Sequence, residues 1–270
     1  MNNFNVGAIC DTGNIKKINQ DNLLVKIGET HFGEFGLFVI ADGMGGLSAG
    51  EVASSIIVSN FKKWWEKDLS ALINTDNFNL HLIDIGLKKL IQAINQNILD
   101  YGTSIKESVG STLSMLFLYN NSYLIKHIGD SRIYLINKNI TKLTKDHSWV
   151  AQLVREGKLT WKQAKNHPKR NVLTKCMGVS NDIDLYELKG SIMETDNFLL
   201  CSDGFYNYLD EQEILKYIQK CKGSNNHVQE YLSSMLKKIK SKKAHDNISA
   251  IAVLQHHQKP NGKRHFLFRQ

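Results

Sequence analysis

Residues 115–137 read MLFLYNNSYLIKHIGDSRIYLIN. Three apolar runs, MLFLY, YLIKHI and RIYLIN, are separated by Asn120-Asn121-Ser122 and by Gly129-Asp130-Ser131, residues that favour turns through side-chain hydrogen bonds to their own backbone or through freedom at positive φ. Such punctuation predicts an antiparallel meander. Similar short runs at 4–10, 22–27, 36–41, 110–119, 196–201 and 247–254 predict further strands, too many for a helical bundle. Helical spacing appears at 49–67, 147–157, 211–221 and 227–240, and Leu87, Leu90, Ile91, Ile94 and Ile98 form one buried stripe. Strands in meanders with helices inserted as pairs predict an α+β fold, antiparallel sheets covered by helices.

The chain has 270 residues, 42% hydrophobic and 22% charged, which excludes a disordered or fibrous protein. No apolar stretch approaches membrane-spanning length, and the opening MNNFNVGAICD lacks the basic and apolar regions of an export signal, so a cytoplasmic location without membrane attachment is expected. Cys10, Cys176, Cys201 and Cys221 are too scattered for a zinc knuckle and are expected as buried thiols. The net charge of +8 sits largely in Lys-Lys pairs on helical segments and in the last residues, without the interleaved aromatics of a nucleic-acid groove. No nucleic-acid partner is expected.

Aspartates placed at the ends of apolar runs carry the chemistry. Asp42 follows GLFVIA, Asp130 follows YLIKHIG, Asp203 follows NFLLCS, Asp21 precedes NLLV and Asp246 precedes NISAIAVL. Each alone reads as a turn or cap residue. Five at one sheet rim would repel one another unless cations neutralise them, and oxygen-only ligands without His or Cys suit Mg²⁺ or Mn²⁺. In Asp42-Gly43-Met44-Gly45-Gly46 the glycines are expected to turn the backbone sharply and bring a carbonyl close to a bound ion.

The ordered motifs Asn19-Gln20-Asp21-Asn22, Asp42-Gly43-Met44-Gly45-Gly46 with Ala49-Gly50-Glu51-Val52-Ala53, Gly110-Ser111-Thr112, Gly129-Asp130-Ser131-Arg132, Cys201-Ser202-Asp203-Gly204 and Asp246-Asn247-Ile248-Ser249 resemble those of the PPM family, the protein phosphatase 2C class of metal-dependent serine/threonine phosphatases, in its bacterial form. The resemblance spans roughly residues 5–254, and residues of about 144–180 resemble the family's flap. It implies an antiparallel β-sandwich flanked by helix pairs, with one catalytic domain over 1–256 followed by a basic tail at 257–270. It further implies two Mn²⁺ or Mg²⁺ ions. Asp42 would bridge them, Asp203 and Asp246 would hold one, and Asp21 with the Gly43 carbonyl would help hold the other; a third, weaker ion would take Asp130 and Asp203, with Asn207 standing where some members have a carboxylate. A metal-bridging hydroxide would then attack phosphoserine or phosphothreonine directly, without a phosphoenzyme. Phosphorylated proteins are the implied substrates, a bacterial serine/threonine kinase the implied counterpart, and a monomer the expected state.

Two departures stand out. Met44 occupies the place of a proposed general-acid histidine in eukaryotic relatives, and Lys16 stands where the family generally has a phosphate-binding arginine, supplying charge without a bidentate fork. His147 and His167 fall in the flap and read as structural or near the substrate. A pseudophosphatase and a two-metal nuclease are the alternatives; the first is disfavoured because all five aspartates are present.

Overall fold

The computed structural model describes residues 2–30, 33–45, 49–73, 79–193, 195–221 and 228–257. Gly46 of the glycine motif and tail residues 258–270 lie outside them. The first half of the chain forms β1 (Asn2–Asp11), β2 (Asp21–Thr30), β3 (Gly33–Gly45), α1 (Gly50–Trp64) with a π-helical extension over Trp65–Leu69, α2 (Ser70–Ile73), α3 (Leu80–Ile105), β4 (Val109–Ser111), β5 (Leu113–Tyr119) and β6 (Ser122–Ile128). The second half forms β7 (Arg132–Ile136), β8 (Ile140–Lys142), α4 (Trp149–Arg155), α5 (Trp161–Lys165), β9 (Tyr186–Ser191), β10 (Asn197–Cys201), α6 (Asp203–Tyr206), α7 (Glu211–Cys221), α8 (Val228–Ser241) and β11 (Ile248–His257).

Strand pairing follows the path β8-β7-β10-β11-β1-β3-β5-β6-β9, with β2 and β4 added along β3. The β1–β3 link is a single parallel pair, Asn2 with Gly33, whereas the other neighbours along the path are antiparallel. The path therefore divides into two antiparallel sheets. Period-two alternation shows how they stack: Phe38 and Ile40 of β3 meet Phe198 and Leu200 of β10 in a middle core, while Leu37, Val39 and Ala41 point the other way. That outer face of β3 packs on Ile57 and Phe61 of α1 and on Ile83, Leu87, Ile91, Ile94 and Ile98 of α3. Opposite, Leu199 and Ala250 meet Ile214 and Ile218 of α7 and Leu232 and Met235 of α8. The result is an α-β-β-α sandwich, the expected fold class.

The predicted meander is half right. β5 and β6 form the hairpin, but β6 goes on to pair with β9 and β7 with β10, so the chain crosses from one sheet to the other at Gly129-Asp130-Ser131. Gly129 sits at φ +113, and a Cβ there would lie 2.5 Å from Thr112 Cγ2. Almost every residue of β6 is buried, so its pattern had no solvent face from which a pairing partner could be read. The predicted strand at 110–119 is likewise two strands, interrupted at Thr112, and β8 and β9 were not anticipated. α3 extends well beyond the stripe, capped by Asn79, whose side chain accepts from the His81 and Leu82 amides. Among the described residues no helix is long and apolar enough to cross a membrane.

Candidate active site

Asp21 opens β2 directly opposite Asp42 of β3. The backbone of Asp42 is fixed on both sides: its amide donates to Thr112 Oγ1 at 3.0 Å, and its carbonyl accepts from the Thr112 amide at 2.9 Å and from Ser111 Oγ at 3.1 Å. The Gly110-Ser111-Thr112 motif is thus a cradle for Asp42. The expected sharp turn at the glycines is not found over Asp42–Gly45, because these residues continue as extended strand, Gly43 pairing with Ser111 and Gly45 with Val109. Gly43 is needed for close approach instead. A Cβ there would overlap the Gly50 carbonyl at the start of α1.

Asp203 begins α6 just after β10, and Asp246 stands just before β11, the adjacent strand. Ser202 and Ser249 lock the two ends together: the Ser202 amide donates to the Ser249 carbonyl and the Ser249 amide to Ser202 Oγ, each at 3.0 Å. A Cβ on Gly204 would overlap the Asn247 carbonyl. Lys16 Nζ lies 3.3 Å from Asp246 Oδ1, which places the predicted phosphate residue at the rim beside a predicted metal ligand. Its loop is held by Asn247, a residue whose role sequence reading missed. The Asn247 carboxamide donates to the carbonyls of Thr12 (3.0 Å) and Ile18 (3.1 Å) and accepts from the Gln20 amide (2.9 Å). The only sequence signal was its place in an Asp-Asn pair, which reads equally well as a turn.

Asp130 occupies the corner between the sheets. Burial pushes its carboxyl up to about 7, with the Asp146 charge adding to the effect, and burial pushes Asp21 up to about 6. Asp42 and Asp203 are raised well above the ordinary carboxylate range, first by burial and then by repulsion from the other aspartates. Asp42 feels Asp21, Asp203, Asp130 and Asp246, so the structure brings all five predicted aspartates into one electrostatic cluster. Among the described residues, no three His, Cys, Asp or Glu side chains form a closed cage for one ion. The donors nevertheless fit hard cations: they are oxygen atoms, and the buried Asp21 Oδ2 has no hydrogen-bond partner.

Asp130 and Asp203 also line a cleft of about 670 Å³ between the flap and the start of α7, with Arg132, Lys142, Trp161 and Arg170 on its walls. Arg132 forks onto Asp146 (Nε to Oδ1 3.2 Å, Nη2 to Oδ2 2.8 Å) and stacks on the Tyr206 ring, 3.6 Å from its centroid. Asp146 and Tyr206 were not singled out from the sequence, since nothing local marks them. His147 is buried with Nδ1 accepting from the Gly129 amide, and His167 lies beside Trp149 with tilted rings, centroids 5.0 Å apart. Of the cysteines, Cys201 and Cys221 are buried as expected, but Cys176 is only half-buried and Cys10 is exposed and accepts from Asn19 and Ser249.

An α-β-β-α sandwich carrying this acidic cluster at its rim defines a hydrolase of the protein phosphatase 2C class. The family model described as protein phosphatase 2C matches residues 15–244, and the chain belongs to that family. It is similar to the serine/threonine phosphatase stp of Listeria welshimeri, with 33% identity over 246 residues covering 90% of this chain and 92% of the relative. A crystal structure of a bacterial serine phosphatase superposes with a TM-score of 0.83 at 27% identity, covering 96% of this chain and all of the other. The catalytic domain of the serine/threonine protein phosphatase PstP, in complex with two manganese ions, shares the fold at a TM-score of 0.76 and 24% identity, covering 94% of this chain and 99% of that one. The chain is accordingly an enzyme, a serine/threonine protein phosphatase of the 2C type, and its substrates are phosphoproteins.

Proposed function

We propose that this phosphatase hydrolyses phosphoserine and phosphothreonine on cytoplasmic bacterial proteins, opposing a serine/threonine kinase, as a monomer with one catalytic unit over 1–256. Two Mn²⁺ or Mg²⁺ ions would be held by Asp42 between them, by Asp203 and Asp246 on one side, and by Asp21 with the Gly43 carbonyl on the other. Asp130 with Asp203 would hold a weaker third ion. Such ions would supply an acidified water for direct attack on phosphorus and would neutralise charge on the phosphoryl oxygens, so that no phosphoenzyme would be needed.

The chain's own residues do the rest. Thr112 and Ser111 hold Asp42 in place, the Ser202–Ser249 pair aligns Asp203 with Asp246, and Asn247 presents the loop from which Lys16 reaches a phosphoryl oxygen. The observation that carries this reading is the convergence of Asp21, Asp130, Asp203 and Asp246 on Asp42. It is tested by phosphate release from a phosphothreonine peptide with added Mn²⁺, expected to stop with EDTA and on Asp42→Asn. Release that persists in both conditions, or cutting of DNA or RNA in place of release, overturns it.

A further inference from the structure

Between the flap and the acidic cluster lies one guanidinium, that of Arg132, which grips Asp146 at the start of the flap and stacks on Tyr206 beside the cluster. Asp146 marks the start of the flap: it is buried, its carbonyl accepts from Arg155 Nη1 of α4 at 3.0 Å, and its carboxylate takes the Arg132 fork and Lys142 Nζ at 3.0 Å. Burial opposes ionisation of Asp146, but Arg132 and Lys142 outweigh it and hold the carboxyl below the usual range. On its other side Arg132 stacks on Tyr206, the last residue of the short helix that Asp203 begins. The Tyr206 hydroxyl then donates to the Asp130 carbonyl at 3.1 Å. The remaining nitrogen, Nη1, is anchored on Tyr134 Oη at 3.1 Å.

We propose that Arg132 is a positioning residue that couples the flap to the acidic cluster: its guanidinium, forked on Asp146 and stacked on Tyr206, makes the seating of α4 and the alignment of Asp130 and Asp203 one event. This inference rests on the phosphatase reading for its consequence in catalysis, but not for its geometry. A planar fork can hold Asp146 by two parallel bonds along one edge while its flat face lies on an aromatic ring; an ammonium group has neither the paired geometry nor the flat face. A flap that lifts must therefore either break the fork or pull on Tyr206, and through Tyr206 on Asp130 and α6. Lys142 is a second cation on Asp146, so the pocket for the carboxylate stays charged when Arg132 is replaced, and the fold is expected to survive the substitution.

The test uses Arg132→Lys, Asp146→Asn, their double variant and Tyr206→Phe in the full chain, read by hydrogen exchange of residues 149–165 and 203–208, by Mn²⁺ calorimetry, and by kcat and KM on p-nitrophenyl phosphate. Tyr206→Phe keeps the ring beneath the guanidinium and deletes only the hydroxyl. Arg132→Lys is expected to speed exchange in both segments together, to weaken Mn²⁺ binding about fivefold or more, and to lower kcat by a similar factor with KM nearly unchanged. The double variant should be no worse than Arg132→Lys, and Tyr206→Phe should reproduce the Mn²⁺ effect with flap exchange unaltered. Faster exchange confined to the flap with Mn²⁺ binding as in the wild type overturns the coupling. A uniform rise in exchange along the chain overturns it too, in favour of a scaffold role. A wild type that binds Mn²⁺ yet leaves phosphopeptides intact would sink the phosphatase reading, while exchange and calorimetry would still decide the clamp.

Discussion

Asp21 and Asp42 stand directly opposite each other on β2 and β3, two carboxylates in a register where opposed like charges are destabilising. The fold keeps this pair although Asp42 is further crowded by Asp203, Asp130 and Asp246. Such an arrangement sacrifices stability of the metal-free chain, as expected of the place proposed above for cations.

Asp42→Asn and Asp203→Asn should therefore abolish turnover while leaving the fold intact. Each removes one charge from a repelling cluster, so in EDTA the variants should melt higher than the wild type. Relief of about 1 kcal/mol corresponds to about 2–4 °C for a domain of this size. Hydrolysis of p-nitrophenyl phosphate with Mn²⁺ and a thermal melt in EDTA check both halves; activity surviving either substitution would remove these aspartates from the site.

Lys16 lies beside Asp246 with both side chains well exposed, a geometry that lets it swing to a phosphoryl oxygen. Lys16→Ala is expected to raise KM more than it lowers kcat, because the contact exists in ground and transition states alike. Lys16→Arg should lower KM by about fivefold, the equivalent of one added hydrogen bond of about 1 kcal/mol. Steady-state kinetics identical for all three proteins would place Lys16 outside the site.

Asn247 holds the loop of Lys16 through three hydrogen bonds from a buried side chain. Asn247→Ala leaves the Thr12 and Ile18 carbonyls and the Gln20 amide without this partner, at a cost of about 1–3 kcal/mol. Urea unfolding should show the loss, and KM should rise with it. A variant with wild-type stability would mean that the loop is held by other contacts, such as the Asn14 amide on the Ala244 carbonyl.

His127 supplies a pH dependence separate from the metal site. It is fully buried, Nδ1 facing Ser114 Oγ at 2.9 Å and Nε2 facing the Lys145 carbonyl at 3.1 Å, with the His147 ring tilted alongside and Asp146 nearby. Burial, reinforced by His147, holds it down to about 3. Between that value and the ordinary histidine range the unfolded chain binds a proton that the folded chain does not, so this contribution to stability is full above about pH 6.5 and declines as pH falls. His127→Gln should be less stable than the wild type at neutral pH, and the gap should narrow by about 2 kcal/mol by pH 5. Parallel stability curves for the two proteins across that range would refute the assignment.

Much of the sandwich was legible because its elements have strong periods. The α3 stripe needs no tertiary information, since spacing along a helix places Leu87, Ile91, Ile94 and Ile98 on one face whatever they meet. Helix α7 likewise begins and ends where its pattern does. The five aspartates were legible for a similar reason: a carboxylate at the end of an apolar run lands at a sheet rim.

The sequence by itself determined most of the strands and helices, though not β8 or β9, and which residue types reach the rim, because these follow from local periodicity and side-chain chemistry. Beyond the β5–β6 hairpin, which strands pair was decided only by the tertiary structure. β6 and β7 are buried on both faces, and a run without a polar face carries no record of its neighbour, so the crossing at Gly129 appeared as an ordinary turn. The same holds for the partners of the site. Asp146, Tyr206 and Asn247 act across separations of 14, 76 and up to 235 residues, through contacts that exist only once both sheets and the flap are assembled.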